Sequence, residues 1–194
     1  AEPVTADVLV NSFGEKHLNA AFAAKKTKWT NYLALHTSLP GGKWDRDDDT
    51  FLDLPRLTRY SAYNKWRYRK ENENGLSAFI GARYVHEKRI GGQENFDPKT
   101  DEGTANAYGQ TVRFQQPEIF SKTGWRFDTN NKISLLASFV AQNQNSWFGL
   151  TQYDADQRHA YANLQYELFW GKNKTQELKT GISFRHFILQ ETIG

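Results

Sequence analysis

Along most of the chain, apolar and polar residues alternate with a period of two, the signature of strands whose two faces meet different surroundings. The alternation predicts a first short strand over Val4 to Ser12. Further strands follow over His17 to Ala24, Trp29 to Leu39, Arg56 to Arg69 and Leu76 to Arg89. A sixth is read from Tyr108 to Phe127 with an interruption near Gln116 and Pro117, and then Lys132 to Asn143, Arg158 to Trp170 and Glu177 to Leu189. In the fourth stretch Tyr60, Ala62, Trp66 and Tyr68 fall on one face, and Ser61, Tyr63, Lys65, Arg67 and Arg69 on the other. In the eighth, Ala160, Ala162, Leu164, Tyr166, Leu168 and Trp170 share a face opposite Tyr161, Asn163, Gln165, Glu167 and Phe169. The second face is too polar for a dry core, because an unpaired buried charge or amide is costly. It suits a wet lumen or a solvated surface.

From Lys25 onward the connections alternate between short and long. The long ones are the segment before Arg56, the polar segment Ile90 to Ala107, and a loop over Gln144 to Gln157. A membrane β-barrel has this parity, with short turns at one rim and long loops at the other. Tryptophan position points the same way. Trp29, Trp66, Trp125 and Trp170 each lie at a strand end beside a short turn, so together they form a belt at one height, as a water–lipid boundary requires. Aromatics packed in a sandwich core would instead scatter along the strands.

Composition sharpens this. Mean hydropathy is −0.77 and no apolar run is long enough for a transmembrane helix, yet 14% of residues are aromatic. Aromatics on so polar a background fit a half-buried sheet or a membrane barrel. A net charge of +3, with no basic run interleaved with aromatics, argues against a nucleic-acid partner. Cysteine is absent, which excludes disulfides and thiolate metal sites. Methionine is absent too, so Ala1 is not read as a translation start, and the chain is expected to be processed or a piece of a longer one.

The segment Trp44 to Pro55 is too acidic and too long for a plain hairpin turn. Asp45, Asp47, Asp49 and Asp53 occupy the first, third, fifth and ninth positions of a calcium-loop spacing. Carboxylates at alternate positions of a curled loop supply the hard oxygen ligands that calcium takes, so Ca2+ is the expected metal. Position six, where a sharp turn calls for Gly, is Thr50, and position twelve, where a bidentate Glu belongs, is Arg56; this is not an EF-hand loop. A solvated acidic loop tip that binds nothing fits the same residues. The histidines His17, His36, His86, His159 and His186 form no short metal-ligand spacing. No Gly-x-Ser-x-Gly elbow or phosphate-cradling loop is present, and no carboxylate pair has a recognisable acid–base partner. The expectation is a protein that is not an enzyme.

The run Asn11-Ser12-Phe13-Gly14-Glu15-Lys16, with Lys28-Trp29-Thr30-Asn31-Tyr32-Leu33-Ala34-Leu35-His36, resembles the opening barrel strands of TonB-dependent outer-membrane receptors. The likeness continues through Trp44 to Pro55, Tyr63 to Tyr68 and Ala82 to Gln93, and is greatest to the Bacteroidetes receptors grouped with cobalamin and colicin receptors. It covers most of the chain and is most specific over the first half. The resemblance implies an all-β fold, an antiparallel transmembrane barrel of about 22 strands closed around a plug. Residues 1–194 would supply about nine strands from its N-terminal part, with the plug domain and C-terminal strands outside this sequence. It implies import of a scarce nutrient such as cobalamin or a siderophore across the outer membrane. The implied partners are membrane lipid, the rest of the barrel and plug, TonB acting through the plug, a surface lipoprotein and a small-molecule ligand. It also implies that Asp45, Asp47, Asp49 and Asp53 bind calcium and so order the outer loops. Read from the residues alone, two alternatives stay open: a small stand-alone outer-membrane barrel with an adhesive or structural role, and a soluble lipocalin-like binding protein.

Overall fold

The computed structural model describes residues 3–69, 74–172 and 175–194. Among these residues the fold is all-β: nine antiparallel strands in a single sheet, each hydrogen-bonded to the next in chain order. They are β1 (Val4–Val10), β2 (Lys16–Lys26), β3 (Trp29–Leu39), β4 (Arg56–Arg69), β5 (Gly75–Gly92), β6 (Gly109–Arg126), β7 (Asn131–Phe148), β8 (Thr151–Trp170) and β9 (Gln176–Ile193). β1 pairs only with β2 and β9 only with β8, so the sheet is open.

β3 and β4 match the spans expected from alternation. Three expectations do not hold. The loop over Gln144 to Gln157 does not exist: β7 and β8 run on to a two-residue turn at Gly149 and Leu150, with Gly149 at φ 61. Amide and carboxylate side chains made this stretch look like a loop, but they pair across the ladder, with Asn143 Nδ2 donating to Asp156 Oδ1 at 3.0 Å and Asn145 Nδ2 to Asp154 Oδ1 at 2.5 Å. Two long connections therefore remain, residues 40–55 and 93–108. Second, β6 is not interrupted. Pro117 sits opposite Tyr84 of β5, and the register to β7 is the same on either side of it, Gln115 facing Asn143 and Glu118 facing Val140. The missing N–H costs the ladder a bond without shifting it. Third, β9 reaches Ile193, beyond the expected Leu189. The expected turns at residues 70–75 and 171–174 fall partly outside the described residues.

Directly paired residues of an antiparallel ladder share a face, so the register assigns every strand position to one of two surfaces. One face carries Leu33 and Leu35 of β3, Tyr60, Ala62 and Trp66 of β4, and Ile80, Ala82 and Tyr84 of β5. It continues with Ile119 and Trp125 of β6, Ile133, Leu135 and Phe139 of β7, Ala160 to Trp170 in alternation on β8, and Leu178, Ile182 and Phe184 of β9. Over β3 to β9, between the tryptophan end and the level of Tyr60, Tyr84 and Ala160, the described residues of this face include no Asp, Glu, Lys or Arg; on β2, Lys26 stands opposite Trp29 at the boundary. Its interior polar groups are answered locally: Asn31 and Asn64 bond each other at 3.3 Å and 3.4 Å, and each also donates to a backbone carbonyl across the strands. On β8, the ten residue steps from Trp170 to Ala160, at about 3.3 Å each and a tilt of about 40°, climb about 25 Å.

The other face is mixed. It carries ion pairs between strands: Arg59–Glu87 at 2.5 Å, Arg83–Glu118 at 2.6 Å and Lys132–Glu167 at 3.1 Å. It also carries an aromatic row, in which Tyr63 lies 6.2 Å from Tyr32 and 6.0 Å from Phe120, and Phe120 lies 6.3 Å from Phe79. Gly81 makes room for that row, because a Cβ there would stand 2.4 Å from the Phe120 ring.

No second layer covers the sheet among the described residues. Phe96, Ala107 and Ala155 are the buried hydrophobic residues, and many large apolar side chains of the uncharged face are exposed. The accessible surface is 12877 Å2. A compact monomer of 22.4 kDa would expose roughly 9,400 Å2. Among the described residues no helix is long and apolar enough to cross a membrane, which says nothing about crossing by strands.

Candidate functional site

In a meander, alternate connections share an end. The β1–β2 turn, the acidic connection 40–55, the connection 93–108 and the Gly149–Leu150 turn therefore gather at one end of the sheet, opposite Trp29, Trp66, Trp125 and Trp170.

The acidic connection is built from its own carboxylates. Asp45 Oδ2 accepts from Thr50 N at 2.8 Å and Asp45 Oδ1 from Asp49 N at 3.2 Å, which curls residues 45–50 into a closed ring. Asp49 Oδ1 accepts from Phe51 N at 2.7 Å, the local turn that Asp favours. The curl demands left-handed backbone at Asp48 (φ 56) and Thr50 (φ 74). Thr50 is the position where the calcium-loop spacing calls for Gly. The structure thus adopts the turn but places a β-branched residue in it, which is strained.

Three of the four expected ligands come together: one carboxylate oxygen each of Asp45, Asp47 and Asp49 lie within 4.8 Å of one another. Two oxygens bound to one Ca2+ at about 2.4 Å can be at most about 4.8 Å apart, so the trio meets the pairwise distance condition for sharing one ion. Asp53 stands outside this group. Its Oδ2 accepts from Arg46 N at 3.2 Å and its N–H donates to Trp44 O at 2.8 Å, so it closes the neck of the loop. The Asp47 carboxyl is held above the usual range. The Asp49 charge beside it is the main cause, with partial desolvation, the Asp53 charge and a hydrogen bond that the protonated carboxyl donates to Asp45 adding to it and a backbone N–H opposing. Like charges crowded this way are relieved by protonation or by a cation.

The loop is anchored on both sides. Trp44 Nε1 donates to Phe13 O at 2.7 Å, the Phe13 and Trp44 rings meet edge to face at 6.1 Å, and the Arg46 guanidinium lies 4.8 Å from the Phe13 ring. On the other side Phe51 bridges to Gln93, Leu52 N donates to Gly92 O at 2.9 Å, and Glu94 N donates to Thr50 O at 2.8 Å. The connection 93–108 has its own small core, with Phe96 buried against Gly109 and Gly103 against Trp147. Arg113 pairs with Glu102 at 2.5 Å. The acidic loop is therefore coupled to both neighbouring connections. Sequence alone marked Trp44 and the acidic residues but not Phe13, Gln93 or Glu94, whose roles depend on which connections share an end.

Comparison with protein-family models, with curated proteins and with solved structures finds no match to this chain.

Proposed function

We propose that this chain forms part of the wall of an outer-membrane β-barrel, its uncharged face against lipid and its mixed face against the barrel interior. One observation carries the reading: a charge-free apolar band about 25 Å high, bounded at one side by exposed tryptophans, while the ion pairs between strands lie on the opposite face. A soluble sheet needs no such boundary and gains nothing from exposing so much apolar surface. The open edges at β1 and β9 cannot face lipid unpaired, so further strands complete the barrel.

Within that reading the protein is a TonB-dependent receptor, importing a scarce nutrient such as cobalamin or a siderophore, as the resemblance of its strands implies. The rest of the barrel and a plug complete it, and TonB drives it. Asp45, Asp47 and Asp49 hold Ca2+ and order the outer loops, where a small ligand or a capping surface lipoprotein would be met. The Phe13, Trp44 and Gln93 contacts favour this role, because they make an ion at the trio stiffen the neighbouring connections too.

The test uses the full-length polypeptide in its native membrane. Quenching of tryptophan fluorescence by lipids brominated at graded depths is expected to be strongest near the interface, and the denatured intact mass to be several times 22.4 kDa. A protein soluble without detergent would sink the membrane reading. A mass near 22.4 kDa would remove the receptor and leave a small barrel.

A further inference from the structure

The mixed face has a second feature, far from the acidic loop. Near the short-turn end, β4 to β7 enclose a pocket of about 490 Å3. That volume suits a small molecule rather than a chain segment. Its rim carries Arg67 and Arg69 of β4, Lys122 and Arg126 of β6, and Lys132 of β7. The register explains the convergence. Arg67 and Lys122 both pair with Phe79, in one row across three strands. Arg69 continues through Ser77 and Gly124 to Ser134 in the next row, and Gly75 faces Arg126, which faces Lys132, in the row beyond. Long cations thus surround a floor of Gly75, Ser77, Gly124 and Ser134, where small side chains leave the depth.

Two observations separate this from a solvated charged surface. Lys132 is neutralised by Glu167, but among the described residues no carboxylate pairs with Arg67, Arg69, Lys122 or Arg126. Elsewhere on this face Arg59, Arg83 and Arg89 each have a glutamate. On the floor, Ser134 is 1% exposed and its Oγ has no hydrogen-bond partner, a buried hydroxyl that ordinarily finds one. It lies 3.6 Å from where a Gly124 Cβ would stand, so the glycine keeps the space beside it open.

We propose that this pocket is a binding site for a small polyanion carrying phosphate or carboxylate groups. Guanidinium forks match both groups in a bidentate manner, ammonium adds a point charge, and the Ser134 hydroxyl donates from below. The site lies on central strands, so it depends neither on the open edges nor on what covers the uncharged face. It is independent of the acidic loop.

The test is titration of the full-length detergent-solubilised protein with inorganic pyrophosphate and, separately, with citrate, followed by calorimetry. Saturable one-to-one binding of at least one probe is expected, and the stronger of the two identifies the anion class. Arg67→Gln with Arg126→Gln should weaken it by at least about tenfold, and Ser134→Ala by about threefold, with unchanged far-ultraviolet circular dichroism. Lys179→Gln, outside the pocket, should leave it unchanged. Absence of saturable binding by either probe overturns the proposal. So does equal binding by the double variant, or an equal loss in Lys179→Gln. None of these results bears on lipid quenching of the tryptophans, so the two readings fail separately.

Discussion

Replacing Leu164 by Arg tests the assignment of the uncharged face most directly. Leu164 lies six residues from Trp170 on β8, flanked on that face by Leu135 of β7 and Ile182 of β9. Six steps of about 3.3 Å at a tilt of about 40° place it about 15 Å from the tryptophan line, near the middle of a band about 25 Å high. Arginine at the midplane of a lipid-facing strand costs about 2–4 kcal/mol. Leu168 is two residues from Trp170, about 5 Å from the line, where the same substitution costs about 0–1 kcal/mol. Gln165 is adjacent to Leu164 but on the mixed face, where an added arginine is expected to cost no more than about 0.5 kcal/mol. The assay is reversible urea unfolding of the full-length protein in phospholipid vesicles, with the three variants compared against the parent. The expected order of cost is Leu164→Arg, then Leu168→Arg, then Gln165→Arg. If Leu164→Arg costs no more than Gln165→Arg, the face meets water and the membrane assignment is wrong. If Leu164→Arg and Leu168→Arg cost the same, the face is buried against protein rather than lipid, because only a bilayer grades the penalty by depth.

Calcium added at millimolar concentration should protect residues 43–55 from proteolysis, and Thr50→Gly should tighten that response by about fivefold, since relieving a β-branched residue at φ 74 is worth about 1 kcal/mol; unchanged cleavage at millimolar calcium retires the site. Thr50→Ala keeps the Cβ and should tighten it much less. Because the Asp47 carboxyl is raised in the fold, its ionised form works against the loop at neutral pH, and the loop gains stability as pH falls through that raised value. Calcium needs the ionised form, so its affinity should start to fall at a higher pH than an ordinary aspartate would dictate, and Asp47→Asn should flatten the profile; a pH-independent calcium titration would contradict this. Glu87→Gln strips the shared partner of Arg59 and Arg89 from a buried position and should cost about 1–2 kcal/mol in the same unfolding assay, discounted for the partly exposed arginines.

Strand existence and faces were legible in the sequence because a period of two survives wherever the two sides differ, as in Tyr60 to Tyr68 and Ala160 to Trp170. The end of β7 and the start of β8 were not, because Asn143, Asn145, Asp154 and Asp156 are polar on the face that is apolar lower down. Their polarity marks height along the strand rather than departure from the sheet, and only the cross-strand hydrogen bonds reveal it. Spacing grouped Asp45, Asp47, Asp49 and Asp53; the fold brings the first three together and sets Asp53 at the neck, since spacing counts residues and the neck is closed through space by Arg46 and Trp44. The cationic pocket was half visible. Arg67 and Arg69 on one face of β4 could be read from alternation, but Lys122 and Arg126 join them only through the register of β5 and β6.

That register also explains why two sites of opposite charge coexist on one sheet. The acidic trio stands on backbone that leaves the ladder. There the chain can bend to bring carboxylates within 4.8 Å, and Asp47 answers the crowding by a raised pKa. The cations stand on the ladder itself, where Arg67 and Lys122, two strands apart, are held about 10 Å from one another and repel weakly, while Lys132, opposite Arg126, is paired with Glu167. Strand spacing thus lets Arg67, Arg69, Lys122 and Arg126 accumulate around small residues such as Gly124 and Ser134 with no carboxylate partner among the described residues, which a bent loop could not tolerate. An acidic cluster on a loop is answered by an ion that fits between its oxygens. A cationic cluster on a ladder is answered by a molecule wide enough to reach several rows. The two ends of this sheet are therefore suited to ligands of different size as well as opposite sign.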